Sequence, residues 1–586
     1  MKRACIDFET YYDKDCSVRN GEQLYVNHPD FEAYMVGIVG DDGFKWVGHP
    51  KDAPWEKLDG VDVVAHNRPF EELILGVLKQ KTNFKSFECT ADMSSYHGWG
   101  RSLDMAGKQG LGIEVDKGVR KEMIGQRWEK LKEDKKAEVS EYCLNDCKIS
   151  LDLAEKGMDD WPAWEREVSH ETTRMCRQGL PIDIRLLDKG IQTLGEVLDE
   201  AIDAIPWADH QEGALSSKSW NKFCRESEEG LKPPRSMAKD NPEVIKWMKE
   251  HPVQAEVLQA THKLRGANSM HQKLKTMRSQ VLPNGRLPFD LKYFGAYPTG
   301  RDSGGSDDPE SKSWNAQNMI KGSLYGVNLR HCIRIPNERV VFHSADFGQI
   351  EARVCAYLAG ETEKLDAARK GADWYEVEAR AFGMFKGAEG TLKDTNPALR
   401  DKMKAMGLGC QFGMGGNRFA SVTGQDFNTA SSMVRFFRAQ NPKLVALWAT
   451  LARDMKSAAR EPEKTYEMGL PSGRCLTYKN VSIRGGLSAE IMRYGKPIRL
   501  KYWHGILIEN AVQAMARDIF MDRVMALVHA GHNIILRVHD EVLIEGDRSN
   551  SKEEAESIHE IMTTSPDWCA DLPLGTEVVQ TDRYTK

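Results

Sequence analysis

Nowhere in the sequence do about 18 apolar residues run together, so no membrane-spanning helix is expected. The N-terminal MKRACIDFETYYD turns acidic at once and lacks the apolar core of a secretory signal. No internal repeat or long low-complexity tract is visible, which leaves out solenoid and fibrous architectures. The twelve cysteines are scattered, and the closest pair, Cys143 and Cys147, lacks zinc-finger spacing. They read as reduced thiols of a cytosolic protein. An overall basic charge is missing too: 81 Lys and Arg stand against 87 Asp and Glu, for a net charge of −6. Composition alone therefore does not point to a nucleic-acid partner, although a whole-chain sum hides local fields.

What is present is a chain of 586 residues with 40% apolar and 29% charged residues, enough for several globular domains. Residues 1–75 read as short strands (RACIDFETY, AYMVGIVGD, FKWVGH, VDVVAHN). From about 118 to 175 the pattern is helical and charged. Pro181 and the polar stretch 204–242 interrupt it, and 295–328 should be loops. A strand is expected at 339–346, helical periodicity from 349 to about 460, and a strand pair around 534–544 that closes the structured region. The fold class expected is an α/β unit, a helical segment and a larger α+β unit. One segment stands out by charge: HKLRGANSMHQKLKTMR, 262–278, carries five cations and no acid. It reads either as a solvated helix pair or as an element that grips phosphates.

Two motifs in the second half place carboxylates at strand ends. In RVVFHSADFGQIEARVCAYLAG, the apolar run through Val340, Val341, Phe342 and Ala345 ends at Asp346, and helical spacing follows. In IILRVHDEVLIEG, two apolar runs flank His539, Asp540 and Glu541, the pattern of a hairpin with a polar tip. A solvated turn is one reading. The other is a metal site, since two aspartates from separate strands can bridge two Mg²⁺ ions that take substrate phosphates as further ligands. Between the motifs, Asn396 and Pro397 start a helix on which Arg400, Lys404, Leu408 and Phe412 recur every four residues. This is either a surface charge pair running into core or a cationic ladder that holds a triphosphate, with Phe412 beside the base. Gly407, Gly409 and Gly413 weaken helix propensity there.

Together these motifs resemble the polymerase module of family A DNA polymerases, the group of the bacterial repair polymerase and many phage replicases. Asp346, Gln349, Ile350, Glu351 and Arg353 match the family's D-x-x-Q-I-E-x-R. Arg400, Lys404, Phe412 and Gly413 match R-x3-K-x7-[YF]-G, and Val538 to Glu541 match V-H-D-E. The resemblance implies that Asp346 and Asp540 bind two Mg²⁺ ions (Mn²⁺ as a substitute), with Glu541 in support. Arg400 and Lys404 would contact the incoming triphosphate. Glu351, against Phe412, would block a ribose 2′-OH, and His539 would approach the primer end. Arg301 in Thr299-Gly300-Arg301 resembles the T-G-R arginine near the primer terminus. Asn315, Gln317 and Asn318 resemble the N-x-Q-N contacts to template and primer, and Gln513 a glutamine in the minor groove. Lys263, Lys273 and Lys275 resemble the duplex-gripping thumb tip. Leu408 departs from the family's Phe or Tyr beside the sugar, Tyr375 stands where a phosphate-contacting His is common, and the loop from Arg301 to Asn315 is long.

In the first half, Cys5 to Thr10 alternates, so Asp7 and Glu9 share one side of a strand. Asn67 and Glu71 follow a second strand, and Tyr142 and Asp146 lie one helical turn apart. Together they resemble D-x-E, N-x3-D and Y-x3-D of the DnaQ-like 3′→5′ exonucleases, with Glu71 in place of the usual Asp. The resemblance implies an RNase H-like exonuclease domain at 1–160, with two metals on Asp7, Glu9, Asp146 and Glu71 and a water oriented by Tyr142. A right-hand polymerase domain would follow at 161–586: thumb 161–290, palm 291–360 and 500–586, fingers 361–499. No 5′ nuclease domain is expected upstream.

The activity implied is template-directed DNA synthesis with proofreading, in the manner of a phage replicase. Its partners would be primer-template DNA, deoxynucleoside triphosphates, and host or phage processivity, helicase and single-strand-binding proteins. A monomer is expected, in the cytoplasm of the host if phage-encoded. A single-subunit RNA polymerase shares the palm architecture, but Glu351 and the exonuclease motifs speak against it. A non-catalytic DNA-binding protein is disfavoured by Asp346 and Asp540.

Overall fold

A computed structural model describes residues 1–586 except 116–117, 209–210, 229, 235, 240, 306–310, 313, 494–495 and 586. The alternation at the N-terminus forms β1 (Arg3–Thr10). Ala4, Ile6 and Phe8 pack on one face with Trp55, Leu58 and Ile74, while Cys5, Asp7 and Glu9 take the other. β2 (Ala33–Gly40) pairs antiparallel with β1, and β3 (Lys45–Gly48) antiparallel with β2. On the other side, β4 (Asp62–Ala65) and β5 (Ser86–Cys89) run parallel, so the order is β3-β2-β1-β4-β5. The VDVVAHN strand ends early, at Ala65. Asn67, left-handed at φ 76°, starts α1 (Arg68–Val77). The face with Asp7 is covered by α2 (Glu133–Gly157). Gly37, opposite Asp7, permits this, because a Cβ there would lie 2.8 Å from Cys143 Sγ.

After α3 (Ala163–Gln178) come α4 (Ile184–Asp203) and α5 (Pro252–Gln280). The basic segment 262–278 lies within this single helix rather than a helix pair. Gly266 disfavours helix by about 1 kcal/mol, but Leu258, Leu264, Ala267, Met270, Leu274 and Met277 form a buried stripe that carries the helix through it. β6 (Leu291–Ala296) and β7 (Arg301–Gly304) form a two-stranded sheet that reaches into the start of the segment 295–328 expected to be loops. Most of the long loop that follows, 306–310 and 313, is outside the described residues.

The strand expected at 339–346 is β8 (Val340–Phe347), followed by α6 (Ile350–Ala359), α7 (Trp374–Ala381) and α8 (Pro397–Cys410). From the sequence no strands are expected between 460 and 534. The structure has an antiparallel sheet there, β9 (Tyr466–Gly469), β10 (Cys475–Ser482), β11 (Ser488–Arg493) and β12 (Lys496–Lys501). Its strands are short and interrupted by Gly473, Gly485 and Gly486, all at positive φ, which hides the alternation. The long helix α9 (His504–His529) leads to β13 (Ile534–Val538) and β14 (Glu541–Asp547). The 534–544 pair does not close the structure. β15 (Thr576–Thr581) follows and flanks β8, giving the order β13-β14-β8-β15.

A buried ion network ties these parts together. Arg517 on α9 donates to Glu165 on α3 (Nη2–Oε2, 2.8 Å), which also accepts from Tyr293 of β6 at 2.7 Å. Next to it, Arg474 Nε donates to Asp518 Oδ1 at 3.0 Å and Arg474 Nη2 to the Thr299 carbonyl at 2.9 Å. All twelve cysteines are free, and no helix among the described residues is long and apolar enough to cross a membrane.

Candidate active sites

Two groups of carboxylates form, one in each half. In the first, Asp7 and Glu9 project from β1 towards α2. The carboxylates of Asp7 and Glu9 and the Cys143 thiol lie within 4.8 Å of one another. Tyr142 hydrogen-bonds Asp146 one turn along α2. Glu71, in the first turn of α1, is 3% exposed and accepts from the Phe8 backbone N–H, while its Oε2 has no hydrogen-bond partner among the described residues. Burial, then the charges of Glu9 and Asp146, raise the Asp7 carboxyl. Burial, then Asp146, push Glu9 up to about 8. Burial, then Asp7, raise Glu71. Desolvated carboxylates that repel one another favour their protonated forms, and a bound cation would relieve that repulsion. The charge of Arg120 opposes these shifts for both Asp7 and Glu9. Its role was not read from the sequence, nor was that of Cys143, whose only signal is its place between Tyr142 and Asp146. The site opens into a cleft of about 1370 Å³ whose far wall includes Phe294, Tyr297 and Lys479.

The second group gathers at the end of the β13-β14-β8-β15 sheet. Val538 pairs with Glu541, leaving His539 and Asp540 as a two-residue turn, with His539 left-handed at φ 58°. Asp346, near the end of β8, sits opposite Glu541, and the Phe347 N–H donates to the Asp540 carbonyl at 3.2 Å. The two aspartates are thereby brought together: burial, then the Asp346 charge, push Asp540 up to about 7. Glu541 is turned away from solvent, accepting from Ser344 Oγ at 2.6 Å and from the Tyr584 hydroxyl at 2.9 Å. Those bonds make it a brace for the turn. Ser344 and Tyr584 are partners the sequence did not reveal.

Around this turn the predicted residues divide. Glu351, on the first turn of α6, is bound to Arg301 at 2.7 Å, a pairing that its expected contact with Phe412 did not include. Arg400 and Lys404 lie on α8. Lys404 is exposed with no partner among the described residues, and Arg400 Nε donates to Asp373 Oδ2 at 2.6 Å. Tyr375 is buried under the Arg400 guanidinium, 5.3 Å from Cζ to the ring centre, and Gln349 donates to Asp373 at 2.9 Å. Leu408 is half-buried on α8. The helix stops at Cys410, so Phe412 lies in the turn beyond it and not on the helix face as expected. That turn approaches α9 at Gly505, where a Cβ would lie 2.1 Å from the Phe412 carbonyl oxygen.

The expected DNA contacts are similarly mixed. Asn315 is engaged within its own turn, accepting from the Gln317 N–H at 2.9 Å and donating to the Gly304 carbonyl at 2.8 Å. Gln317 is half-buried and Asn318 exposed. Gln513, on α9, donates to Glu509 at 3.3 Å. Lys263 is held by Glu200 of α4 at 2.7 Å, whereas Lys273 and Lys275 have no ion-pair partner among the described residues.

The chain belongs to DNA polymerase family A, whose model matches residues 232–586. It is 28% identical to the DNA polymerase of Bacillus phage SP02 over the whole of both chains. It is 27% identical to the thermostable DNA polymerase I of Thermus filiformis over 48% of this chain and 30% of that one. Among solved structures it resembles the POL domain of Pol1 from M. smegmatis in complex with DNA primer-template and dNTP. The TM-score is 0.72 at 16% identity, covering 99% of this chain and 95% of that one, a likeness of fold.

Proposed function

We propose that the chain extends a primer 3′-OH on a DNA template and removes mispaired ends at a separate 3′→5′ exonuclease site. The observation that carries this reading is the convergence of Asp346 and Asp540, remote in sequence, at one sheet end that Gln349 and Asp373 link to Arg400 of α8. The order β3-β2-β1-β4-β5, with Asp7 and Glu9 on one face of β1 and the charges of Asp146 and Glu71 close by, supports an RNase H-like exonuclease at 1–160. Residues 161–586 are then the right-hand polymerase, with α4 and α5 in the thumb, β8, β13 and β14 in the palm, and α8 in the fingers.

The donor sets fit hard divalent cations: clustered carboxylate oxygens, raised by burial and mutual repulsion, with Glu71 Oε2 left unpaired. Two Mg²⁺ per site, on Asp346 and Asp540 and on Asp7, Glu9, Asp146 and Glu71, would neutralise phosphate charge and activate the attacking oxygen. Lys404 and Arg400 bind the triphosphate. Glu351, fixed by Arg301, closes the space at the 2′ position. At the other site Tyr142, hydrogen-bonded to Asp146, orients the attacking water. The cleft at the exonuclease site, lined also by Phe294, Tyr297 and Lys479, offers a frayed single strand aromatic faces and a cation. Likeness to a phage polymerase over both full lengths supports a role in phage genome replication in the host cytoplasm, alongside helicase, single-strand-binding and processivity proteins.

The test is incubation with a primer-template carrying a mismatched 3′ end, first with all four dNTPs and then with none. Correction followed by extension is expected with dNTPs, and stepwise shortening without them. Failure of extension from a matched primer would overturn the polymerase reading.

A further inference from the structure

Resting on the triphosphate reading above, we infer that Asp373 is a positioning residue that presents Arg400 to the incoming nucleotide's phosphates. Nothing in the sequence singled out Asp373, which precedes α7. Its carboxylate makes three bonds. Oδ1 accepts from the Tyr375 backbone N–H at 3.1 Å and from Gln349 Nε2 at 2.9 Å, and Oδ2 accepts from Arg400 Nε at 2.6 Å. One half-buried side chain thus joins the turn that follows Asp346 to the helix that carries Arg400 and Lys404.

The way Arg400 is held decides between two roles for this carboxylate. A competitor for the phosphates would occupy the terminal nitrogens, the pair that meets a phosphate edge-on. Here Asp373 takes Nε alone. Nη1 and Nη2 have no acceptor among the described residues, and the guanidinium plane rests over the Tyr375 ring. A long cationic side chain otherwise free to rotate is therefore fixed with its two-pronged end open. Lys404, one turn along and without a partner among the described residues, supplies a second charge on the same helix face. Gln349, left-handed at φ 59° where α6 begins, is fixed by the same carboxylate, so the strand end bearing Asp346 and the cationic helix are set relative to each other.

The test separates this role from helix capping. Asp373→Asn keeps an oxygen for the Tyr375 N–H and Gln349, and Asn is as good a cap as Asp. It places an NH₂ where Arg400 Nε needs an acceptor. In single-nucleotide incorporation, D373N should raise the KM for dNTP about tenfold, the scale of one charge-assisted hydrogen bond. Its kcat should change far less, and its melting temperature should stay at the wild-type value. R400A should raise KM as well, and the D373N/R400A double variant should match R400A alone. A D373N enzyme with wild-type or lower KM, or a D373N effect that persists undiminished in the R400A background, would overturn the inference while leaving the triphosphate reading intact. An unchanged KM in R400A would overturn that reading itself, and the inference with it.

Discussion

Glu351 and Arg301 hold each other, Oε1 to Nη2 at 2.7 Å, across the opening between β7 and α6. The pair fixes the carboxylate that the sugar of an incoming nucleotide would meet. Glu351→Ala should raise ribonucleotide over deoxyribonucleotide incorporation by about tenfold or more. Arg301→Ala, which frees Glu351 to move, should give a smaller change in the same direction. Single-turnover insertion of matched rNTP and dNTP measures both.

The lysines of α5 divide by their partners. Lys263 is paired with Glu200, whereas Lys273 and Lys275 have no ion-pair partner among the described residues. Removing Lys273 or Lys275 should weaken duplex binding for all sequences and lower the slope of log K against log salt by about 1 each. Lys263→Ala should leave that slope nearly unchanged. Binding titrations at several salt concentrations read the difference.

How far these sites could be read from sequence depended on whether the signal was local. Alternation from Cys5 to Thr10 was enough to put Asp7 and Glu9 on one strand face, and two apolar runs were enough for the hairpin at Asp540. The pairings Arg301–Glu351, Arg400–Asp373 and Glu541–Tyr584 join remote segments, so no periodicity encodes them. The spacing of Phe412 continues that of Arg400 and Lys404 and so predicts a helical position. The chain instead leaves the helix after Cys410, with Gly413 at φ 79°. The β9–β12 sheet escaped for a related reason, its alternation being broken by glycine turns.

The acidic groups predict a pH dependence of stability. Asp540 is raised from 3.8 to about 7 and Glu9 from 4.5 to about 8, both first by burial. Each binds its proton more tightly in the folded chain than in the unfolded one. Their contribution to stability is therefore full below those ordinary values and is lost as pH rises through the folded ones. In EDTA the melting temperature should fall between about pH 5 and about pH 8. Glu9→Gln should melt above the wild type at the upper end and converge with it at the lower. Mg²⁺ should stabilise the wild type most at high pH and the variant less. Thermal melts with and without Mg²⁺ check all three.

The Arg517–Glu165 pair is wholly buried and links α3 to α9. Glu165→Ala leaves the buried guanidinium with only Asp518, at 3.4 Å, and should cost about 3 kcal/mol, the lower end for a broken buried pair. Denaturant unfolding of the variant against the wild type measures it. A loss below about 1 kcal/mol, the scale of an exposed pair, would show that water reaches this network.

Two acidic centres with separate tasks on one chain would be separable by mutation. The most direct measurement is parallel primer extension and primer degradation by Asp540→Ala and Asp7→Ala. Asp540→Ala should abolish extension and keep degradation, and Asp7→Ala should keep extension and abolish degradation. Equal loss of both activities in either variant would contradict the account.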